Sequence, residues 1–281
     1  MKQGDLRPEA VDLSPSGRPA APGHYAQGEA LVRVRDLRMR YGEGEAVVSG
    51  VYLEVAEGQV VSLIGPSGSG KSTVLRAISG LHRPDGGTVE LLVKPTEMGF
   101  LFQDDALLPW RTARQNVALG LTLRGSSRAE ARQDADRWLA QLGLAGLSDR
   151  YPRQLSGGQR KRVALAQVLA LRPKLLLMDE PFASLDAIVR HQVTQDLMNW
   201  VERERIAVLL VTHDLEEAQA LSDTVHLLSR GPGARIRNSY AVGIPRPRDL
   251  IGARGDASFA PLLKRIWDDL SEEVDQVGER M

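Results

Sequence analysis

Val60-Val61-Ser62-Leu63-Ile64-Gly65-Pro66-Ser67-Gly68-Ser69-Gly70-Lys71-Ser72 is the stretch that decides the fold. Its first five residues form an apolar run without alternation, as expected of a strand covered on both faces. Residues 65–72 have the spacing G-x-x-x-x-G-K-S/T, and a helical pattern runs from residue 71 to about 81, ending at Gly80. Strand, glycine-rich turn and helix, in that order, form the context in which this motif cradles phosphate. The glycines let successive backbone N–H groups face phosphate oxygens, and the helix N-terminus adds its dipole. Lys71 is expected on the β- and γ-phosphates of a nucleotide and Ser72 on Mg2+. Gly65, Pro66, Ser67, Gly68, Ser69, Gly70 and Thr73 complete the expected nucleotide-binding set. The alternative, a flexible Gly/Ser loop, does not account for the flanking strand and helix.

A second apolar run, Leu175-Leu176-Leu177-Met178, ends in Asp179 and Glu180. Ligands of parallel α/β sheets bind beyond the carboxyl ends of the strands. Asp179 is therefore expected to hold Mg2+, and Glu180 to orient and polarise an attacking water. Strands are also expected at 31–40, with a slip at Asp36, at 46–48, 51–55, 88–92, 98–102 and 206–212. Helices are expected from Ser127 to Leu142, at 160–171, 187–203 and 262–270. Between 112 and 171 there is almost no strand signal. The order strand–helix, helical insert, strand–helix–strand implies a parallel sheet with an inserted helical lobe.

Composition limits the alternatives. Of 281 residues, 42% are hydrophobic and 26% charged, as in an ordinary globular protein. Lys+Arg and Asp+Glu are 36 each, so no net basic field draws the chain to nucleic acid. The absence of Cys excludes disulfides, zinc–thiolate sites and thiol nucleophiles. No apolar run reaches the roughly 18 residues of a spanning helix. The first residues are charged and proline-rich rather than signal-like, so the chain is expected to stay in the cytoplasm. Residues 1–28 read as a disordered arm. His24, His82, His191 and His226 lack metal-ligand spacing, and Trp138, Trp200 and Trp267 read as helix packing residues.

Leu155-Ser156-Gly157-Gly158-Gln159, just before a helix, makes the pattern specific. With residues 65–72 and the Asp179-Glu180 strand, the chain resembles the ATP-binding cassette (ABC) ATPases over about 31–249. The resemblance implies an α/β fold, with a P-loop NTPase core, an antiparallel β subdomain and an inserted helical lobe. It divides the chain into the arm, an ATPase domain at 29–249 with its lobe at about 104–171, and a helical appendage at 250–281. It also assigns further residues. Tyr41, 24 residues before Gly65, would stack on adenine. Gln103 would offer an oxygen to Mg2+ or water, and His213 would contact the γ-phosphate and hold Glu180. Ser156, Gly157, Gly158 and Gln159, with Asp186 of the Ser184-Leu185-Asp186 segment, would complete the ATP site of a second subunit. Catalysis would fall to Glu180, His213, Gln103 and Lys71.

Such a cassette needs a dimer, expected to be homomeric or formed with a close relative. As a transporter subunit it would also need transmembrane permease subunits, beneath which it would sit on the cytoplasmic face of the inner membrane. Leu107-Leu108-Pro109-Trp110 is suited to capturing a permease helix, or to packing within the lobe. That segment, Asp179-Glu180-Pro181-Phe182 and Pro245-Arg246-Pro247-Arg248-Asp249 look like the nitrate/sulfonate/taurine importer ATPases, which also work with a substrate-binding protein. Ala183-Ser184 replaces the usual Gly-Ala, and the stretch 88–102 is short. The alternative is the ATPase of another transporter, of exporter or lipid-extraction type. A DNA-repair or ribosome-associated cassette would carry long coiled-coil insertions or two cassettes, and neither is present.

Overall fold

The computed structural model describes residues 28–183 and 185–275. The expected arm, apart from Gly28, and Ser184 of the 184–186 segment lie outside the described residues. In chain order the elements are β1 (Ala30–Arg40), β2 (Ala46–Ala56), β3 (Val60–Ile64), α1 (Lys71–Ile78), β4 (Gly86–Leu91) and β5 (Met98–Leu101). Helices α2 (Ala113–Leu123), α3 (Arg128–Gln141) and α4 (Gly157–Leu169) follow. Then come β6 (Leu175–Asp179), α5 (Ala187–Glu204), β7 (Ala207–Val211), α6 (Leu215–Leu221), β8 (Thr224–Leu228) and β9 (Ile236–Ala241). The last helices are α7 (Leu250–Ala253) and α8 (Phe259–Asp275).

The strands form two sheets, one antiparallel in the order β2-β1-β4 and one of six strands in the order β5-β6-β7-β3-β8-β9. The larger sheet is parallel from β5 to β8, and β9 closes its edge antiparallel to β8. Its central strands lack alternation because each face is covered by a different core. Val60, Leu176, Met178, Val208 and Leu210 pack toward the helical lobe and α5. Val61, Leu63, Leu175, Leu177, Leu209 and Val211 pack toward α1 and the antiparallel sheet. The slip at Asp36 is a bulge, with φ 50° there and a register shift between Val34 and Leu37.

Several boundaries differ from the sequence expectation. The segments 46–48 and 51–55 are one strand, carried through Gly50 at φ 81°. Helix α1 stops at Ile78, and α4 begins at Gly157 rather than 160, because Ser156 caps it. Strands β8 and β9 had no counterpart in the sequence reading. Residues 250–275 are not an appendage in packing terms. Ile266 and Phe259 are buried in one core with Ile64, Leu215, Leu227 and Tyr240. Gln219 donates to the Phe259 carbonyl (2.8 Å), and Arg237 pairs with Glu273 (2.6 Å). Trp138 and Trp200 do pack together, with ring centroids 4.5 Å apart. Trp267 instead faces outward, 62% exposed.

Residues 245–249 clamp the chain to the base of the sheet. Buried Arg248 donates to the carbonyls of Ile244 (3.0 Å) and Leu221 (3.1 Å) and to Asp223 (3.0 Å). Asp223 also accepts from Val60 N (2.8 Å) and Arg246 (2.6 Å). Arg248→Met removes one partner of a buried ion pair and strands two carbonyls, so a loss of about 3 kcal/mol is expected. Urea unfolding measures it; a change below about 1 kcal/mol would show that Arg246 alone holds Asp223.

Candidate functional site

The carboxyl ends of β3, β7 and β6 lie side by side, in register through Leu63–Val211 and Asp179–Val211. The turns that follow these strands carry Lys71, His213 and Glu180. They form one face of a cleft of about 630 Å³, and Tyr41 and Val47 of the antiparallel sheet close the other.

The 65–72 turn wraps tightly. Gly70 has φ 93°, and a Cβ there would lie 2.7 Å from Val48 and 2.9 Å from Val47. Only glycine fits both constraints. No side chain caps the first turn of α1, whose N-terminal residues line the cleft. That end is suited to an anion. Lys71 donates from Nζ to the carbonyls of Gly65 and Pro66, both at 2.9 Å. Burial lowers its pKa, while the carboxylates of Glu180 and Asp179 oppose the shift. Ser67, Gly68, Ser72 and Thr73 also line the cleft. The Ser69 hydroxyl is buried without a hydrogen-bond partner.

Ser72 donates its hydroxyl to Asp179 at 2.9 Å. Burial raises the Asp179 pKa, and this hydrogen bond works against the rise. A hydroxyl and a carboxylate are hard oxygen donors, the type Mg2+ takes, so the pair fits the expected ion. Glu180 is held at φ 44°, in the left-handed region that non-glycine residues rarely occupy. Its N–H donates to the Val211 carbonyl (2.9 Å), and its carboxylate lies 3.3 Å from His213 Nδ1. Tyr41 meets Thr73 through its hydroxyl (3.2 Å) and is 43% exposed. The His82 ring meets it edge-on at 5.2 Å.

The remaining expected residues are elsewhere. Gln103 is exposed and is not among the residues that line the cleft. Fully buried Lys161 donates to the carbonyls of Phe102 (3.2 Å) and Gln103 (3.1 Å) and lies 3.4 Å from Asp105, pinning that turn. Ser156, Gly157, Gly158 and Gln159 also lie outside the cleft. Ser156 caps α4 by accepting from Gln159 N (3.3 Å), and Gln159 Oε1 accepts from Ser156 N (3.0 Å). Asp186 caps α5 by accepting from Val189 N (3.0 Å). Val47, His82 and Lys161 were not picked out from sequence. Val47 reads as an ordinary strand residue, and Lys161 as one cation in the run Arg160-Lys161-Arg162.

A phosphate-cradling turn beyond the carboxyl end of a central parallel strand, with a helical lobe inserted between β5 and β6, defines a P-loop ATPase of the cassette kind. The ABC transporter family profile matches residues 48–183. The aliphatic sulfonates import ATP-binding protein of Rhizobium johnstonii is 44% identical over 90% of this chain and 96% of its own length. The bicarbonate transport ATP-binding protein of Synechocystis sp. is 44% identical over 78% of this chain and 34% of that longer protein. A solved dimeric ATP-binding cassette in a post-hydrolysis state with ADP and Pi has a TM-score of 0.68 at 32% identity, covering 76% of this chain and all of that one. The chain belongs to the ABC transporter family, as an ATPase. No helix among the described residues is long and apolar enough to cross a membrane.

Proposed function

We propose that this chain is the ATP-hydrolysing subunit of a bacterial importer for a small anion, such as an aliphatic sulfonate, taurine or nitrate. It works as a dimer, homomeric in the simplest case, on the cytoplasmic face of the inner membrane. There it drives permease subunits fed by an extracytoplasmic substrate-binding protein. The split of the expected residues carries the dimer: Lys71, Glu180 and His213 share a cleft, while Ser156–Gly158 stands outside it on a partly exposed helix N-terminus. One copy supplies the cleft and the other supplies Ser156, Gly157, Gly158, Gln159 and Asp186 to cover the γ-phosphate. The names of the relatives support small anions as cargo.

Tyr41, half-exposed beside the cleft, stacks on adenine, and Lys71 balances the β- and γ-phosphate charge. Glu180 orients the attacking water and takes its proton as the water oxygen bonds the γ-phosphorus and the bond to ADP breaks. His213 holds Glu180 in place. Ser72 and Asp179 would hold Mg2+, which when bound supplies positive charge against the phosphate oxygens. Gln103 joins this set only if the 102–105 turn, held by Lys161, moves.

Next to that turn lies a surface suited to a permease helix. Trp110 is 70% exposed beside a groove of about 460 Å³ that includes Arg111, Arg128 and Arg132. Affinity purification of the tagged chain from gently solubilised native membranes is expected to recover a multi-spanning permease. Trp110→Ala is expected to lower that recovery at least tenfold, about the effect of losing a tryptophan anchor. Recovery of only ribosomal or DNA-repair proteins would overturn the transport role and leave the ATPase standing.

A further inference from the structure

The segments expected to face the second subunit and the turn carrying His213 meet at the first turn of α5. On one side, Val189 packs against α4 so closely that a Cβ on Gly158 would lie 2.5 Å from Val189 Cγ1. Asp186 accepts from Val189 N, so the 185–186 segment is joined to the same turn. One residue on, Arg190 donates from Nη2 to the Leu185 carbonyl (3.0 Å). Its Nη1 lies 3.6 Å from Asp214 Oδ2. Asp214 directly follows His213 and caps α6 by accepting from Glu217 N (3.0 Å). Glu217 also accepts the Thr212 hydroxyl (2.6 Å), and Thr212 Oγ1 accepts from Asp214 N (3.1 Å). The 212–214 turn, which presents His213 to Glu180, is thus tied to α6 and faced by the Arg190 guanidinium.

Arg190 Nε is buried with no hydrogen-bond partner among the described residues, an unfavourable arrangement that an apolar side chain would avoid. The half-exposed Arg190–Asp214 pair adds little to stability. What a guanidinium offers, and neither methionine nor a point-charge lysine does, is a planar fork that reaches acceptors in two loops at once. Arg190 does not line the nucleotide cleft.

We propose that Arg190 is a positioning residue, bridging Leu185 to Asp214, so that the 3.3 Å contact of His213 with Glu180 is kept in place when 156–158 and 185–186 engage the second subunit. This rests on the two-subunit site proposed above.

Steady-state ATPase of the purified full-length chain, measured across protein concentrations, tests it. Wild-type turnover per subunit is expected to rise with concentration to a plateau as dimers form. Arg190→Met is expected to lower the plateau kcat about tenfold while the KM for ATP stays within about twofold and the midpoint of the rise is unchanged. Arg190→Lys, which keeps the charge, is expected to recover part of the loss. Asp214→Asn retains the α6 cap, since Asn caps as well as Asp, and is expected to lower kcat similarly. The Arg190→Met/Asp214→Asn pair is expected to be no slower than the slower single variant, because both remove one link.

Unchanged kcat in Arg190→Met, a loss confined to KM, or a double variant whose loss is the product of the single losses would overturn the bridge. If Arg190→Met does not fold, Arg190→Lys and Asp214→Asn carry the same test, and full kcat in both overturns the bridge. Wild-type turnover independent of concentration would instead overturn the two-subunit reading, and this inference with it. Lys71→Ala in the same series separates the cases: hydrolysis there removes the cleft itself, whereas an inactive Lys71→Ala beside a fully active Arg190→Met removes only the bridge.

Discussion

Lys71→Ala is expected to abolish ATP hydrolysis, lowering kcat/KM on the order of 10²–10³-fold, the effect of removing one preorganised charge from a developing anionic centre. Lys71 is buried and lines the cleft, and among the described residues its ammonium bonds the Gly65 and Pro66 carbonyls alone. Its burial disfavours the charged form, and the nearby carboxylates only partly offset that. A desolvated cation at the start of a helix acts on a phosphate with little water to screen it. The fold should survive, because the 65–70 turn is set by glycine geometry and by contacts of Gly70 with Val47 and Val48. Thermal unfolding provides the control and a steady-state phosphate-release assay the readout. Turnover within about tenfold of wild type would remove Lys71 from the phosphate site.

Glu180→Gln is expected to bind ATP, lose hydrolysis by about 10²–10⁴-fold and accumulate as a closed dimer with ATP and Mg2+. Glutamine has nearly the shape of glutamate and can still meet His213, at present 3.3 Å from the carboxylate. It meets the same backbone constraint at φ 44°, so the substitution changes proton affinity rather than fold. Without a base to take the proton from water, the γ-phosphate stays in place and continues to hold the two copies together. Size-exclusion chromatography with light scattering reads this out directly. A monomeric profile at saturating ATP and Mg2+ would count against the two-subunit site, and turnover close to wild type would count against Glu180 as the base.

The legible parts of this protein were local ones. The non-alternating apolar-rich runs at 60–64 and 175–178, the Gly70-Lys71-Ser72 turn, the slip at Asp36 and the Ser127 cap each depend on residues within a few positions. Backbone sterics and side-chain periodicity act at that range, so they can be read without knowing the fold. Strand β8 has a short local signal, the run Val225-His226-Leu227-Leu228. Strand β9 had little, because an edge strand of partly exposed residues such as Ile236-Arg237-Asn238 owes its existence to pairing with β8.

What tertiary structure alone decided lies in contacts between distant residues. Helix α8 joins the core because Ile266 and Phe259 meet Leu215 and Tyr240, from a helix and a strand earlier in the chain. Gln103 stands outside the cleft because Lys161, 58 residues on, holds its turn by a backbone carbonyl. Arg190 reaches Asp214 only because α5 begins, and the loop after β7 begins, beyond the carboxyl ends of the neighbouring strands β6 and β7. Sequence determined which residues can bind a phosphate and take a proton, because that is a property of side chains and nearby backbone. Which of them share one cleft, and which stand outside it, was decided by the parallel sheet order that brings the ends of β3, β7 and β6 together.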